Sequence, residues 1–139
     1  MTIHSIRWGR IVLGAFLAEA AVLALFFLIL GIARVAGVPE IAAPMTPLDY
    51  VEALVLSFVG IFVFTLWVAR PLESGFVLHG VLVALVATLL FLVLWGATAG
   101  SILEQPILYW VAHALKLAGG IAGGLAAARR HGRRAVPAM

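Results

Sequence analysis

The chain has 139 residues, 65% of them hydrophobic and only 11% charged, with a mean hydropathy of +1.19. Soluble domains run roughly half apolar and a quarter charged, and a domain of about 150 residues still leaves roughly a third of its unfolded surface exposed; no soluble fold of this length can hide so much apolar side chain, so the excess must face lipid. The chain has no cysteine and a net charge of +3, which excludes disulfides, thiolate zinc sites, iron–sulfur clusters and thiol nucleophiles. Arginine outnumbers lysine eight to one and asparagine is absent, a composition associated with GC-rich bacterial genomes.

Crossing ~30 Å of hydrocarbon takes ~20 apolar residues at 1.5 Å per residue. Four stretches satisfy this, about 11–33, 47–69, 76–97 and 107–128. They predict an all-α integral membrane fold, a four-transmembrane-helix bundle. Residues 1–139 read as a single membrane domain, with 129–139 as its basic tail. The first apolar run is longer than the ~7–15 residues of a signal-peptide core, so the mature protein is expected to keep it. Gly37-Val38-Pro39 ends that span. In Thr46-Pro47-Leu48-Asp49 a hydroxyl can cap the next helix, a proline fits its first position and a carboxylate suits its positive first turn. Arg70-Pro71 ends this second helix, because proline lacks an N–H and disfavours helical geometry in the residue before it. The third helix is expected to start at Ser74-Gly75, and Gln105-Pro106 separates it from the fourth. Ser101 and Glu104 have capping-box spacing, a signal weakened by the following proline.

Basic residues flanking spans are retained on the cytoplasmic side. With the N-terminus inside, Arg7, Arg10, Arg70, Arg129, Arg130, Arg133 and Arg134 are cytoplasmic and only Arg34 is outside. Both termini are therefore expected in the cytoplasm of a multi-pass protein of the cell membrane, in this composition a bacterial inner membrane. Trp8, Tyr50, Trp67, Trp95, Tyr109 and Trp110 all fall near span ends, where amphipathic rings prefer the interface. The run Arg129-Arg130-His131-Gly132-Arg133-Arg134 follows a span directly and has no interleaved aromatics, so it suits anionic lipid headgroups and not nucleic acid.

Glu19, His113 and Lys116 lie inside the spans, where an ionised side chain costs roughly 2.5–3.5 kcal/mol on the lenient insertion scale. Glu19 is about 13 Å from the inner boundary and Lys116 about 13 Å from the outer one at 1.5 Å per residue, depths that a lysine stem can reconcile. Glu19 and Lys116 can therefore form an ion pair joining the first and fourth helices, serving either to hold the bundle together or as a proton or substrate site that His113 extends outward. Around the fourth helix, Tyr109, Ala112, His113, Gly119, Gly120, Gly123 and Ala127 fall within about 60° of Lys116, with Gly124 close by. Gly119 with Gly123 and Gly120 with Gly124 form two small-xxx-small pairs that admit another backbone, from the same chain or from a second copy. His79, a few residues into the third helix, is expected near the inner interface, too far in depth from His113 to share a haem. No cofactor or metal is expected.

The segment Gly14-Ala15-Phe16-Leu17-Ala18-Glu19-Ala20 resembles the first helix of the small multidrug resistance family, four-helix proton-coupled exporters of about this size. The resemblance implies that Glu19 alternately holds protons and a cationic substrate. Two features depart from that family: the third helix lacks its mid-span glycine and tryptophan pattern, and Lys116 competes for the glutamate. No P-loop, HExxH or GxSxG motif is present, and no carboxylate pair has a spacing that suggests hydrolysis. The sequence therefore points to a non-enzymatic structural or accessory membrane component, in a homo-oligomer or beside a partner membrane protein, with a proton-coupled small-solute transporter using Glu19 as the alternative.

Overall fold

The computed structural model describes residues 6–37, 47–98 and 107–134. These form four helices, α1 (Trp8–Val35), α2 (Pro47–Ala69), α3 (Phe76–Thr98) and α4 (Ile107–Arg134), with no strand among the described residues. Three carry stretches long and apolar enough to cross a membrane: Trp8–Ala33, Phe76–Leu94 and Ile107–Arg133. The corresponding apolar stretch of α2, Ala53–Ala69, is shorter.

Local chemistry explains the helix ends. Arg7 lends its carbonyl to the N–H groups of Arg10 and Ile11, so α1 begins before the apolar run does. At the far end Ala36 N–H bonds the Ile32 carbonyl and Gly37 turns left-handed with φ 71°, a conformation that glycine adopts without a Cβ penalty. Helix α2 begins on Pro47, as a proline with no N–H to satisfy should. It closes where Arg70 N–H bonds the Trp67 carbonyl and Leu72 N–H bonds that of Ala69, ahead of Gly75 with φ 70°. Helix α4 runs on through the basic residues to Arg134, which places Arg129, Arg130 and Arg133 on its negative C-terminal end. The caps expected at Thr46 and Ser101, and the stops at Val38-Pro39 and Gln105-Pro106, lie outside the described residues.

Helices α1 and α4 each pack against both α2 and α3, which also touch one another, while α1 and α4 make no close backbone approach. They stand on the long diagonal of the bundle. The interior is built from small residues, Ala15, Ala18, Ala84 and Ala87 with Ile11, Ile61, Val68 and Val83, while Phe16, Phe27, Leu28, Ile32, Leu89 and Val93 point outward. In water this arrangement would be inverted. Lipid tails are as apolar as leucine, so large side chains gain nothing by turning inward, whereas small ones let backbones approach closely.

The packing is uneven along the bundle axis. Buried residues crowd the half that bears Arg7, Arg70 and Arg129, here called the arginine end. Among the described side chains none is buried beyond Glu19 in α1, before Ser57 in α2, beyond Ala87 in α3 or before His113 in α4.

Candidate functional site

Glu19 and Lys116 meet across the long diagonal, with Lys116 Nζ 2.6 Å from Glu19 Oε1. Lys116 is 3% exposed and Glu19 is buried beside it. Helix backbones on a diagonal are too far apart for a short side chain to bridge, and the four-carbon lysine stem makes the pair possible. The ammonium also lies 4.6 Å from the ring centroid of Phe91 on α3, a cation–π contact. Residues of α1, α3 and α4 thus converge on one charge at the boundary between the packed and the loose halves of the bundle.

One turn along α4 toward the loose half lies His113, 8% exposed. Its ring sits among those of Tyr109, Phe91 and Trp110, at centroid distances of 4.7, 5.4 and 6.3 Å. Neither His113 Nδ1 nor Nε2 has a hydrogen-bond partner among the described residues. The same is true of Thr88 Oγ1 on α3. An unsatisfied buried polar group costs about 1–3 kcal/mol, so this corner of the site is chemically incomplete without a further donor or acceptor.

Gly119, Gly120, Gly123 and Gly124 of α4 are consumed within the chain. A Cβ on Gly119 would lie 2.5 Å from the Phe58 carbonyl of α2, and one on Gly123 would lie 2.9 Å from the Phe62 carbonyl. Gly120 meets the Gly80 backbone of α3, and a Cβ on Gly124 would lie 2.6 Å from Val77 Cα. One pair serves α2 and the other α3, wedging α4 between them. Of the two partners left open for this face, the structure places helices of the same chain there, and no room remains on it for a second copy.

Two interactions at the arginine end had no counterpart in the sequence reading. His79 is 1% exposed, with Nδ1 2.9 Å from the Gly75 carbonyl and Nε2 3.4 Å from the Arg7 N–H. Nδ1 therefore donates and Nε2 accepts, and the ring ties the start of α1 to α3. Gly75 lies one helical turn before His79, but the Arg7 partner is 72 residues away and nothing local to His79 points to it. Arg10 sends Nη2 to the Trp67 carbonyl at 3.0 Å and lays its guanidinium 4.5 Å above the Trp67 ring, completing the end of α2. Glu19, Lys116 and His113 are thus brought together, whereas His79 belongs to a separate clamp.

No family model, no curated protein and no solved structure matches the chain. The resemblance of the first helix to the small multidrug resistance family extends no further than its seven residues.

Proposed function

We propose that the chain is a four-span protein of a bacterial inner membrane, with both termini in the cytoplasm, that acts without catalysis as a structural or accessory membrane component. The observation that carries this reading is the Glu19–Lys116 pair, which joins two helices whose backbones make no close approach. A buried pair closes a bundle in one register, because any other alignment strands a charge in a medium of low dielectric. Four spans are supported by the 23-residue length of α2, about 35 Å at 1.5 Å per residue, against a core of ~30 Å. The orientation is supported by the gathering of Arg7, Arg10, Arg70, Arg129, Arg130 and Arg133 at one end of the bundle. There they face anionic headgroups, each basic residue contributing about 1 kcal/mol near such a surface. A partner membrane protein or a second copy would dock on the lipid-facing surface, since the glycine face of α4 is filled.

A second reading, a proton-coupled transporter of a small solute with Glu19 as carrier, draws support from the unpartnered ring nitrogens of His113 beside the pair. Reporter fusions after residues 40, 72, 103 and 139 test the spans and their direction; an outside C-terminus would overturn the proposed topology. Proton flux into liposomes separates the two functions. No flux in the wild-type protein is expected, and a flux abolished by Glu19→Gln would hand the site to the transporter.

A further inference from the structure

We infer, resting on the four-span reading above, that an apolar groove on the outer face of α1 holds one anionic phospholipid. An acyl chain lies along the groove, and the phosphate sits over the positive ends of α1 and α3. This names one particular partner of the arginine end, beyond the general attraction of its charges to a membrane surface.

Residue spacing makes the groove. Trp8, Val12 and Phe16 form one ridge of α1 at intervals of four residues, and Gly9 and Leu13 form the next. Gly9 brings no side chain, and a Cβ placed there would meet nothing within 4 Å, so the second ridge begins with a gap. Leu90 of α3 bounds the deep end of the depression, which holds about 510 Å³, inside the roughly 300–1,000 Å³ of small-molecule sites. No charged side chain lines it, and Phe16 is 58% exposed, so the groove is apolar and faces outward. From Trp8 to Phe16 is about 12 Å of helix, against ~15 Å of hydrocarbon in one leaflet, half of the ~30 Å core. The groove therefore starts at the membrane surface and follows a chain through most of a leaflet. Atoms that line an unfilled gap lack contacts on one side, and an acyl chain supplies them.

The mouth of the groove carries the complementary charge. Helices α1 and α3 pack together and both begin at the arginine end, where the Arg7 N–H bonds His79. The leading N–H groups of a helix have no partner within it and amount to roughly half a positive charge. A carboxylate in the first turn would offset that charge, but neither α1 nor α3 has one. Arg7 directly precedes Trp8, and exposed Arg70 stands in the connection that leads into α3. Glu73 is the one acid at this end among the described residues. A phosphate matches both the orphan donors and the excess charge. A headgroup with net negative charge is favoured over a zwitterionic one, whose cation would meet the arginines.

Native mass spectrometry of the purified full chain in mild detergent, titrated with phosphatidylglycerol or with phosphatidylcholine of identical chains, tests this. One phosphatidylglycerol is expected to bind at least about tenfold more tightly than phosphatidylcholine, since two basic contacts contribute about fivefold each. Gly9→Leu fills the gap and is expected to weaken phosphatidylglycerol about tenfold, the equivalent of two methylenes displaced from the groove. Its stability in SDS should be unchanged, because the new side chain enters open space. Gly31→Leu, which also meets open space on α1 but far from the groove, should leave lipid binding unaltered. Arg7→Gln/Arg70→Gln is expected to bring phosphatidylglycerol down to the level of phosphatidylcholine. Equal binding of the two lipids to the wild-type chain overturns the inference, as does wild-type affinity in Gly9→Leu or an intact preference in the arginine variant. The reporter fusions fail separately: an outside C-terminus overturns the orientation and moves the lipid to the outer leaflet, whereas equal lipid binding by a chain that spans four times overturns the groove alone.

Discussion

Replacing Glu19 with glutamine removes one charge at nearly constant shape and leaves the Lys116 ammonium in its 3%-exposed site. In the intact protein the ammonium has a carboxylate at 2.6 Å and a ring centroid at 4.6 Å. After the change only the Phe91 face and a neutral amide remain, and a cation–π contact contributes roughly 0.5–2 kcal/mol. Deleting one member of a buried pair costs about 3–5 kcal/mol because the other charge is stranded, which agrees in scale with the ~2.5–3.5 kcal/mol of placing a lysine at mid-bilayer. The predicted loss for Glu19→Gln is therefore about 3–5 kcal/mol, a large share of the stability of a typical small domain, about 5–15 kcal/mol. Glu19→Gln/Lys116→Leu removes the stranded charge and is expected to recover most of the loss, since an apolar pair in place of a buried ionic one is often neutral or better. Titrating purified protein in mild detergent with SDS, followed by near-UV circular dichroism, measures both. A loss within about 1 kcal/mol, the scale of an exposed pair, would refute the reasoning. So would a double variant no more stable than the single one.

Gly120→Leu puts a side chain into the Gly80 backbone and is predicted to unfold or severely destabilise the bundle, beyond the about 1–3 kcal/mol of ordinary overpacking; Gly9→Ala, which meets nothing within 4 Å, should be neutral or slightly stabilising in the same SDS titration. His79→Ala severs the link between Arg7 and Gly75 and should cost about 1–3 kcal/mol. Faster amide exchange at Arg10 and Ile11, measured by mass spectrometry, is its signature. Thr65 is 0% exposed and its Oγ1 has no hydrogen-bond partner among the described residues, so the near-isosteric Thr65→Val should be neutral or stabilising by about 1 kcal/mol. A marked loss would show that the hydroxyl makes a bond after all.

Helical identity was legible in the sequence because it depends on local features. Pro47 starts α2 and Gly37 turns the chain out of α1 through properties of single residues that no distant contact needs to supply. The depth of Glu19 and Lys116 was equally local, since a fixed rise per residue converts position into height. Their meeting was therefore foreseeable as a possibility. What height cannot give is azimuth and neighbour order, and these came only from the tertiary structure. It sets α1 and α4 on a diagonal, so that a lysine and no shorter cation spans the gap. It divides the glycines of α4 between α2 and α3, a choice that periodicity leaves open because both pairs lie on one broad face. It ties His79 to a backbone N–H at the other end of the sequence. It also surrounds His113 with the rings of Tyr109, Phe91 and Trp110 and leaves its two nitrogens without a hydrogen-bond partner among the described residues, an outcome of packing between α3 and α4 that neither helix encodes alone.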